Sequence, residues 1–291
     1  RPATASVQDE RERRVEVDSA AATVAFSNRG ARLLSWQLKK HKDARGRGEE
    51  MVPAARQAPW PLDLETGTPE IDRSLREALF RPSAETLDVT TAPEAELVFA
   101  WAEGDLEAEK ALRFEAGGEI ALVRASVRRA GQPVPVRVLW GPGLGNPSGA
   151  EKDVQGYLPP QGVLLAGGTT ERLDPAKLGE TRRVGGARFV GVESHYFAAL
   201  FVPASGAGGE LRRVEIPAPE NQPDAKPESA VTVAVDLSPG PARLFVGAKD
   251  YHALKGLGYG LAEVVERRGG RIPWRCTCRI RCAARRVNAT G

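Results

Sequence analysis

The sequence predicts a mainly β fold, a large β-sandwich that ends in an amphipathic helix. The first observation is a long series of short segments in which apolar and polar residues alternate at the period of a half-buried strand. The second is turn chemistry, because 31 glycines and 22 prolines separate most of these segments. The third is composition, since 41% hydrophobic and 27% charged residues are typical of a globular protein. At 291 residues the chain can form one large β domain or two smaller ones.

The first predicted elements follow a polar leader. Residues 1–14 are charged and are predicted to be a solvated linker, and residues 15–247 are assigned to the sandwich. Alternation over 15–18 and an apolar run over 22–26 precede a turn at Asn28 to Gly30 and a further run over 31–38, a pattern that predicts a hairpin. Residues 70–80 have the pattern of a short helix, which Pro82 stops.

The remaining strands are predicted from the same alternation and from the turn residues between them. They cover residues 86–91, 96–102, 109–115, 119–128, 134–140, 187–202, 211–216, 230–237 and 242–247. Residues 203–230 are rich in glycine, proline, alanine and charge. This segment is predicted to form a hairpin excursion or a mobile loop on one side of the sandwich.

Residues 248–266 are predicted to form the C-terminal amphipathic helix. Its apolar stripe consists of Leu254, Leu257, Leu261, Val264 and Val265. Three glycines in the segment cost about 1 kcal/mol each relative to alanine, so we expect the helix to form only when something covers the stripe. The cover can be the domain's own core, a membrane surface or a partner helix. The stripe is therefore a candidate membrane or partner interface, with closure of its own domain as the alternative.

Charge and hydropathy limit the functions that fit this chain. The formal net charge is +3, but eight arginines lie in residues 267–291, which contain no acid, so residues 1–266 carry more acidic than basic side chains. That balance argues against nucleic-acid binding. No stretch reaches the 18 apolar residues that a membrane-spanning helix needs, so the sequence as given is expected to be soluble. Cys276, Cys278 and Cys282 lack a fourth ligand, and neither a metal site nor a cofactor is predicted.

Two segments are candidates for chemistry. Glu193 and His195 lie two residues apart in a predicted strand, so they point to the same side and could place an acid and a base in a cleft. The alternative is a strand-edge pair bonded to a neighbouring backbone or arginine, since no nucleophile accompanies them. The glycine-rich run 140–146 lacks an amide proton at Pro142 and no predicted helix follows, so it is predicted to be a tight turn rather than a phosphate loop. No catalytic residue is assigned.

The succession of four blocks resembles the large periplasmic domain of bacterial YidC-type membrane protein insertases. The blocks are residues 28–38 (NRGARLLSWQL), 140–144 (WGPGL), 196–203 (YFAALFVP) and 244–249 (LFVGAK). Their order and spacing extend the likeness over residues 15–266. No block is a catalytic signature, so the resemblance lies in their succession.

The resemblance implies a β-supersandwich of the galactose-mutarotase-like kind, in the periplasmic part of a bacterial inner-membrane protein. It implies a non-catalytic role in inserting and folding inner-membrane proteins, with nascent membrane proteins and Sec translocon components as partners. It also implies that the helix of 248–266 lies at the membrane surface and leads toward a membrane span. Sandwiches of this kind elsewhere bind carbohydrate, so the alternative is a sugar-binding or aldose-epimerase-like module.

The last 25 residues depart from the family pattern. Arginines stand where the resemblance requires an apolar span, and each arginine at a bilayer centre costs about 2.5–3.5 kcal/mol. Residues 267–291 are therefore predicted to be disordered or not native to the family, as a change of reading frame would produce.

Overall fold

The computed structural model describes residues 6–43, 45–53, 59–115, 117–145, 157, 159–204, 207–217 and 227–265, and β-strands dominate these residues. The elements are β1 Arg14–Asp18, β2 Ala22–Ser27, β3 Arg32–Lys42, β4 Gly48–Glu50, β5 Leu64–Glu65, α1 Pro69–Glu77, β6 Arg81–Pro82, β7 Thr86–Asp88, β8 Glu94–Glu103, β9 Leu106–Glu115, β10 Ile120–Arg129, β11 Gln132–Val134, β12 Arg137–Trp140, β13 Gln161–Ala166, β14 Thr169–Leu173, β15 Thr181–Gly185, β16 Phe189–Glu193, β17 Phe197–Val202, β18 Gly208–Ile216, β19 Glu228–Asp236, β20 Ala242–Ala248, α2 Tyr251–Leu257 and a 3-10 helix Leu261–Val264.

The strands form one ten-stranded sheet and two five-stranded sheets. The large sheet has the order β14-β13-β16-β17-β20-β10-β9-β8-β6, with β11 paired to β10. The smaller sheets have the orders β4-β3-β2-β1-β7 and β15-β18-β19-β12-β5. Pairing is antiparallel in these sheets except between β1 and β7, which run parallel. The prediction of a mainly β sandwich is confirmed.

Both smaller sheets pack on one face of the large sheet, which we call its inner face. Phe26 of β2 lies against Phe99 of β8, with ring centroids 5.7 Å apart, and Trp36 of β3 lies 6.1 Å from Phe114 of β9. On the other side, a Cβ added at Gly162 of β13 would lie 2.6 Å from Leu211 Cδ2 of β18. One continuous cluster of buried apolar side chains joins the three sheets. The three sheets therefore share one core, which lies against the inner face.

The N-terminal hairpin is confirmed, whereas the leader before it is more ordered than a solvated linker. β2 and β3 pair antiparallel from Ala22 opposite Leu38 to Ser27 opposite Arg32. In the leader, the Val7 amide bonds to Ala102 and the Asp9 amide bonds to Leu79. The buried Asn28 side chain also accepts a hydrogen bond from the Arg13 amide at 2.7 Å. Asn28 therefore has a second role besides its place in the turn, because its side chain bonds the leader to the hairpin.

The strand predictions needed correction in the second half of the chain. The predicted strand 187–202 is two strands, β16 and β17, which pair with each other across a turn at residues 194–196. The hairpin β13–β14 and the strand β15 were not predicted, because glycines and charged residues interrupt their alternation. The segment 203–230 contains all of β18, which pairs along its length with β19. Of the two outcomes predicted for that segment, the hairpin is the one observed.

The outer face of the large sheet has two halves of different character. Over β8, β9 and β10 it carries charged side chains that form exposed ion pairs, such as Arg124 with Glu96 at 3.1 Å. Over β13, β16, β17 and β20 it is apolar, and a second buried cluster forms on it. The C-terminal segment, residues 249–265, covers only this apolar half.

Candidate functional site

The C-terminal segment is not one helix. Asp250 begins α2, and its carboxylate accepts a hydrogen bond from the Ala253 amide at 2.8 Å. The helix ends at Leu257, because Gly258 and Gly260 adopt φ values of 83° and 76°, which a right-handed helix excludes. A 3-10 turn, Leu261–Val264, follows. The helix predicted over 248–266 is therefore replaced by two short helical pieces joined by left-handed glycines.

The predicted stripe lies against the protein's own sheet. Leu254, Leu261 and Val264 are fully buried, and Leu257 and Val265 are partly buried beside them. They pack on apolar side chains of the outer face: Ile120, Val163, Leu165, Phe189, Ala198, Leu200 and Phe245. The expectation that the stripe forms a membrane or partner interface is corrected for the three fully buried residues. The cover turns out to be the domain's own core, the alternative that the sequence had left open.

A buried carboxylate holds both ends of the segment. Glu193, at the end of β16, is 1% exposed; its Oε2 lies 3.0 Å from Lys249 Nζ and its Oε1 lies 2.6 Å from Arg172 Nε. Lys249 opens the segment, and the Arg172 guanidinium donates a second hydrogen bond, 2.6 Å long, to the Val264 carbonyl near its end. Thr170 adds a hydrogen bond to the Glu263 carbonyl at 3.0 Å. We call Glu193, Arg172 and Lys249 the Glu193 hub.

The structure does not bring Glu193 and His195 together as an acid and a base. Glu193 ends a strand, whereas His195 lies in the turn after it, exposed, with its ring 4.4 Å from that of Tyr196. The two residues therefore do not share a strand face, as the prediction of a continuous strand required. Both oxygens of Glu193 are occupied by cations, which agrees with the alternative of a carboxylate paired to an arginine.

The third sheet carries a closed ring of ion pairs on its outer surface that the sequence did not indicate. Arg137 and Arg212 each contact both Glu65 and Glu210, at distances from 2.5 to 3.0 Å. Burial alone would raise the pKa values of Glu65 and Glu210, but the two guanidinium groups lower them below their ordinary values. Arg183 reaches the same Glu210 at 3.3 Å while its side chain stays 85% exposed. The four residues of the ring are mutually neutralised, and Arg183 is an additional cation.

An open groove of about 330 Å³ lies beside this ion-pair ring. Its lining comprises Arg137, Arg183, Val184, Gly185, Gly208, Gly209, Glu210 and Asp236. Because Gly185 and Gly208 have no side chains and face each other across β15 and β18, the groove has a backbone floor between charged walls. No familiar motif marks it, although the paired glycines 185–186 and 208–209 were visible in the sequence.

A buried lysine sits between the large sheet and the first small sheet. Lys110 of β9 is fully buried, and its ammonium group donates to the Leu62 carbonyl at 2.6 Å. Burial lowers the pKa of Lys110 to about 7, although the nearby Asp63 opposes that effect. Burial also raises the pKa of Asp63. The sequence did not indicate that Lys110 is buried, because a charged residue in an alternating strand is predicted to point outward.

Three other expectations concern binding and membranes. The run 140–145 is a tight turn, in which the Gly143 amide bonds to Val231 and the Gly145 amide bonds to Met51, so these amides are used within the protein. Among the described residues there is no group of three His, Cys, Asp or Glu side chains placed to hold a metal ion. The same residues include no helix long and apolar enough to cross a bilayer. Residues 267–291, with the three cysteines, lie outside the described part.

Comparison with known families identifies the chain. A family model described as the YidC periplasmic domain matches residues 14–266. The chain belongs to the YidC periplasmic domain family. One relative, the membrane protein insertase YidC of Syntrophus aciditrophicus (strain SB), is 23% identical over 279 residues, which cover 88% of this chain and 48% of the relative. The chain thus spans about half the length of the curated YidC protein that it matches.

Solved structures similar to this YidC periplasmic domain include two from lactobacilli. One is a galactose mutarotase related enzyme from Lactobacillus acidophilus, with a TM-score of 0.49 and 11% identity, covering 80% of this chain and 97% of that chain. The other is a galactose mutarotase-like protein from Lactobacillus casei ATCC 334, with a TM-score of 0.47 and 12% identity, covering 81% and 99%. Likeness at this level carries no statement about activity.

Proposed function

We propose that this chain is the periplasmic part of an inner-membrane insertase and that it works by positioning rather than by chemistry. It holds the insertase's membrane-embedded part at a fixed place, and it offers surfaces to nascent membrane proteins and to components of the Sec translocon. Membership of the YidC periplasmic domain family supports this role, as does the relative that is named a membrane protein insertase. The proposal requires a rigid link between the sandwich and the chain that leaves it.

The Glu193 hub is the observation that carries the proposal. It fixes the first residue of the C-terminal segment through Lys249 and the end of the segment through Arg172 and the Val264 carbonyl. A buried carboxylate that holds two cations costs several kcal/mol when it is removed, because the cations are left unpaired. Seven apolar side chains of the sheet beneath the segment add to the docking. Motion of the sandwich would thus be transmitted to residue 265.

The membrane-surface role of this segment is part of the proposal in a changed form. With Leu254, Leu261 and Val264 in the core, contact with lipid falls to the other side of the segment. That side presents Lys255 and Tyr259, whose ring is 41% exposed and lies 4.6 Å from the Arg243 guanidinium. A tyrosine beside cations suits the headgroup region of an anionic bilayer.

The test uses the complete parent insertase in proteoliposomes, with Glu193→Gln as the variant. We expect limited proteolysis to cut within residues 251–265 faster than in the wild type, and the yield of an inserted single-span model protein to fall. Glu171→Gln is the matched control, because Glu171 lies next to Arg172 in β14 but on the opposite face of the sheet, where it pairs with Arg182 at 3.4 Å in an exposed position. Faster cleavage together with an unchanged insertion yield would contradict the positioning role.

The epimerase-like form of the sugar-binding alternative needs an acid and a base, for which Glu193 and His195 were the candidates. The carboxylate is held by Arg172 and Lys249, and His195 is in the solvent-exposed turn. Calorimetric titration with galactose and glucose separates the two functions. We expect no heat of binding at millimolar sugar. Saturable binding of either aldose would favour the sugar-binding function over the positioning role.

A further inference from the structure

We propose that the edge strand β15 and the groove beside it bind an extended polypeptide segment that carries an acidic side chain. The segment would add a strand to the third sheet next to β15 and place its carboxylate against Arg183. This site is where the domain would contact unfolded chains. The inference rests on the proposed function only for the source of the peptide, because the site itself follows from geometry.

Among the described residues, nothing pairs with the backbone along one side of β15. In its sheet it pairs with β18 only. The Arg213 amide donates to the Glu180 carbonyl at 3.2 Å, which fixes the hydrogen-bonded positions of the antiparallel ladder at Arg182 and Val184. The N–H and C=O groups of Thr181, Arg183 and Gly185 therefore point away from β18, at the spacing that an added strand requires.

The other sheet edges are less suited to an added strand. The end strands β4, β7, β6 and β5 are three, three, two and two residues long, whereas β14 and β15 have five each. One face of β14 is covered, because the side chains of Thr170 and Arg172 bond to the C-terminal segment. Within the described residues, β14 and β15 are thus the longest end strands, and the C-terminal segment does not cover β15.

β15 has little of the usual protection of an exposed edge apart from the exposed side chain of Arg183. Natural edges are blunted by proline, by bulges or by charged side chains that block an incoming strand. β15 contains no proline, and Arg182 is turned onto Glu171 of β14. A Cβ added at Gly185 or at Gly186 would meet nothing within 4 Å, so the space beside the end of the strand is open. An extended chain can approach the backbone there without displacing a side chain.

The charges of the groove define the chemistry of the occupant. Glu65 and Glu210 are already shared between Arg137 and Arg212, so the one long contact from Arg183 to Glu210 leaves that guanidinium available. On the opposite wall, Asp236 has one carboxylate oxygen bonded to the Ser238 amide at 2.8 Å. A carboxylate on the incoming strand would form an ion pair with the Arg183 guanidinium. The same carboxylate placed near Asp236 would be repelled by the negative charge of Asp236. The groove thus favours an acidic residue opposite β15 and disfavours an acidic residue further across.

The probe is a fluorescein-labelled, amidated peptide of sequence Thr-Val-Thr-Glu-Thr-Val-Thr, titrated with the full chain and followed by fluorescence anisotropy. We expect saturable binding, and slower hydrogen exchange of the Thr181, Arg183 and Gly185 amides when the peptide is present. The same peptide with N-methyl groups on alternate amides should not bind, because strand addition needs its N–H groups. A peptide with lysine in place of glutamate should bind at least about tenfold more weakly, a loss of about 1.4 kcal/mol.

Two variants test the site itself. Arg183→Glu should weaken binding of the acidic peptide about tenfold or more, and it should favour the lysine peptide instead. Gly185→Pro removes one outward N–H without breaking a bond to β18, so it should weaken binding of both peptides. Arg213→Glu is the matched control, since it makes the same charge change on β18 away from the edge and should stay within about twofold of the wild type.

The outcomes are decisive in both directions. Absence of binding at 1 mM peptide, or binding that Arg183→Glu and Gly185→Pro leave unchanged, would overturn the proposal. Protection of amides outside β15 alone would place the peptide elsewhere and overturn it too. Since this assay needs no membrane, its failure is independent of the insertion assay on Glu193→Gln, which tests the positioning role.

Discussion

The two halves of the outer face of the large sheet avoid exposing apolar surface in opposite ways. Over β8 to β10 the outward positions are charged, as at Glu96, Arg113 and Arg124, and water covers them. Over β16, β17 and β20 the outward positions are apolar, and the protein supplies its own cover. A strand that is apolar on both faces predicts a layer on both faces. The run 197–202 is such a strand, and the leucines of the C-terminal segment are its missing layer.

This difference explains why an amphipathic stripe is a weak sign of a membrane helix. The stripe must be matched against every unpaired apolar face within the same chain before an external partner is invoked. Here the two short helical pieces and the outer face bury each other, so neither is free. The C-terminal segment up to residue 265 is consequently part of the fold.

The largest effect that we predict is the loss of this layer. Leu261→Ala or Leu254→Ala should each lower the free energy of unfolding by between about 3 and 5 kcal/mol, because each removes a fully buried side chain from a packed cluster. Leu257→Ala is the control and should cost about 1 kcal/mol, since Leu257 is only partly buried. Urea unfolding followed by tryptophan fluorescence measures all three. Equal small losses in the three variants would mean that the segment is not docked.

The second prediction compares one carboxylate from each half. Glu193→Gln should cost about 3 kcal/mol, because it leaves Arg172 and Lys249 without a counter-charge in a largely buried site. Glu96→Gln, which removes an exposed pair with Arg124, should cost no more than about 0.5 kcal/mol. Unfolding curves in 0.1 M and 1 M NaCl sharpen the contrast, as salt should screen only the Glu96 pair. Similar losses for the two variants would remove the distinction between the halves.

The third prediction concerns the two faces of β9, whose outward residues are solvated and whose inward Lys110 is buried. Because burial lowers the pKa of Lys110 to about 7, the unfolded chain binds a proton that the folded chain does not between pH 7 and about pH 10. Unfolding then takes up a proton, so this lysine makes stability rise with pH in that window, by up to about 1.4 kcal/mol per pH unit, and contributes no slope below it.

Lys110→Met isolates that slope. The variant keeps a side chain of similar length without a charge, so its stability should increase less between pH 7 and pH 9 than that of the wild type. Urea unfolding at pH 6, 7.5 and 9 gives the comparison, with Lys39→Met as the control at a partly exposed lysine that pairs with Asp18. Identical slopes in wild type and Lys110→Met would show that Lys110 keeps an ordinary pKa in the folded protein.

Much of the fold could be predicted because alternation and turn residues are local signals. The hairpin of β2 and β3 and the strands β8, β9, β10 and β20 all follow from them. β13, β14 and β15 could not. In β13 a glycine placed for contact between sheets, Gly162 against Leu211, interrupts the alternation. In β14 and β15, adjacent polar or charged residues interrupt it. The turn that divides β16 from β17 was missed because Ser194 to Tyr196 contains neither glycine nor proline.

The candidate site was only partly accessible from sequence. Glu193 was singled out and is the centre of the hub, but its partners Arg172 and Lys249 lie 21 and 56 residues away along the chain. The pairing depends on strands β14, β16 and β20 meeting in one sheet, which no local pattern encodes. The ring of Glu65, Arg137, Glu210 and Arg212 is hidden for the same reason, since the two arginines meet the two glutamates across four strands.

The most direct test of the central claim is hydrogen exchange of the backbone amides at Leu254, Gly258, Leu261 and Val265, measured in the absence of any membrane. If the segment is part of the core, these amides should exchange with opening free energies close to those of β17 and β20, and Glu193→Gln should lower them while β8 to β10 stay protected. Exchange at the rate of an unstructured peptide in the wild type, with protection only after anionic liposomes are added, would contradict the account.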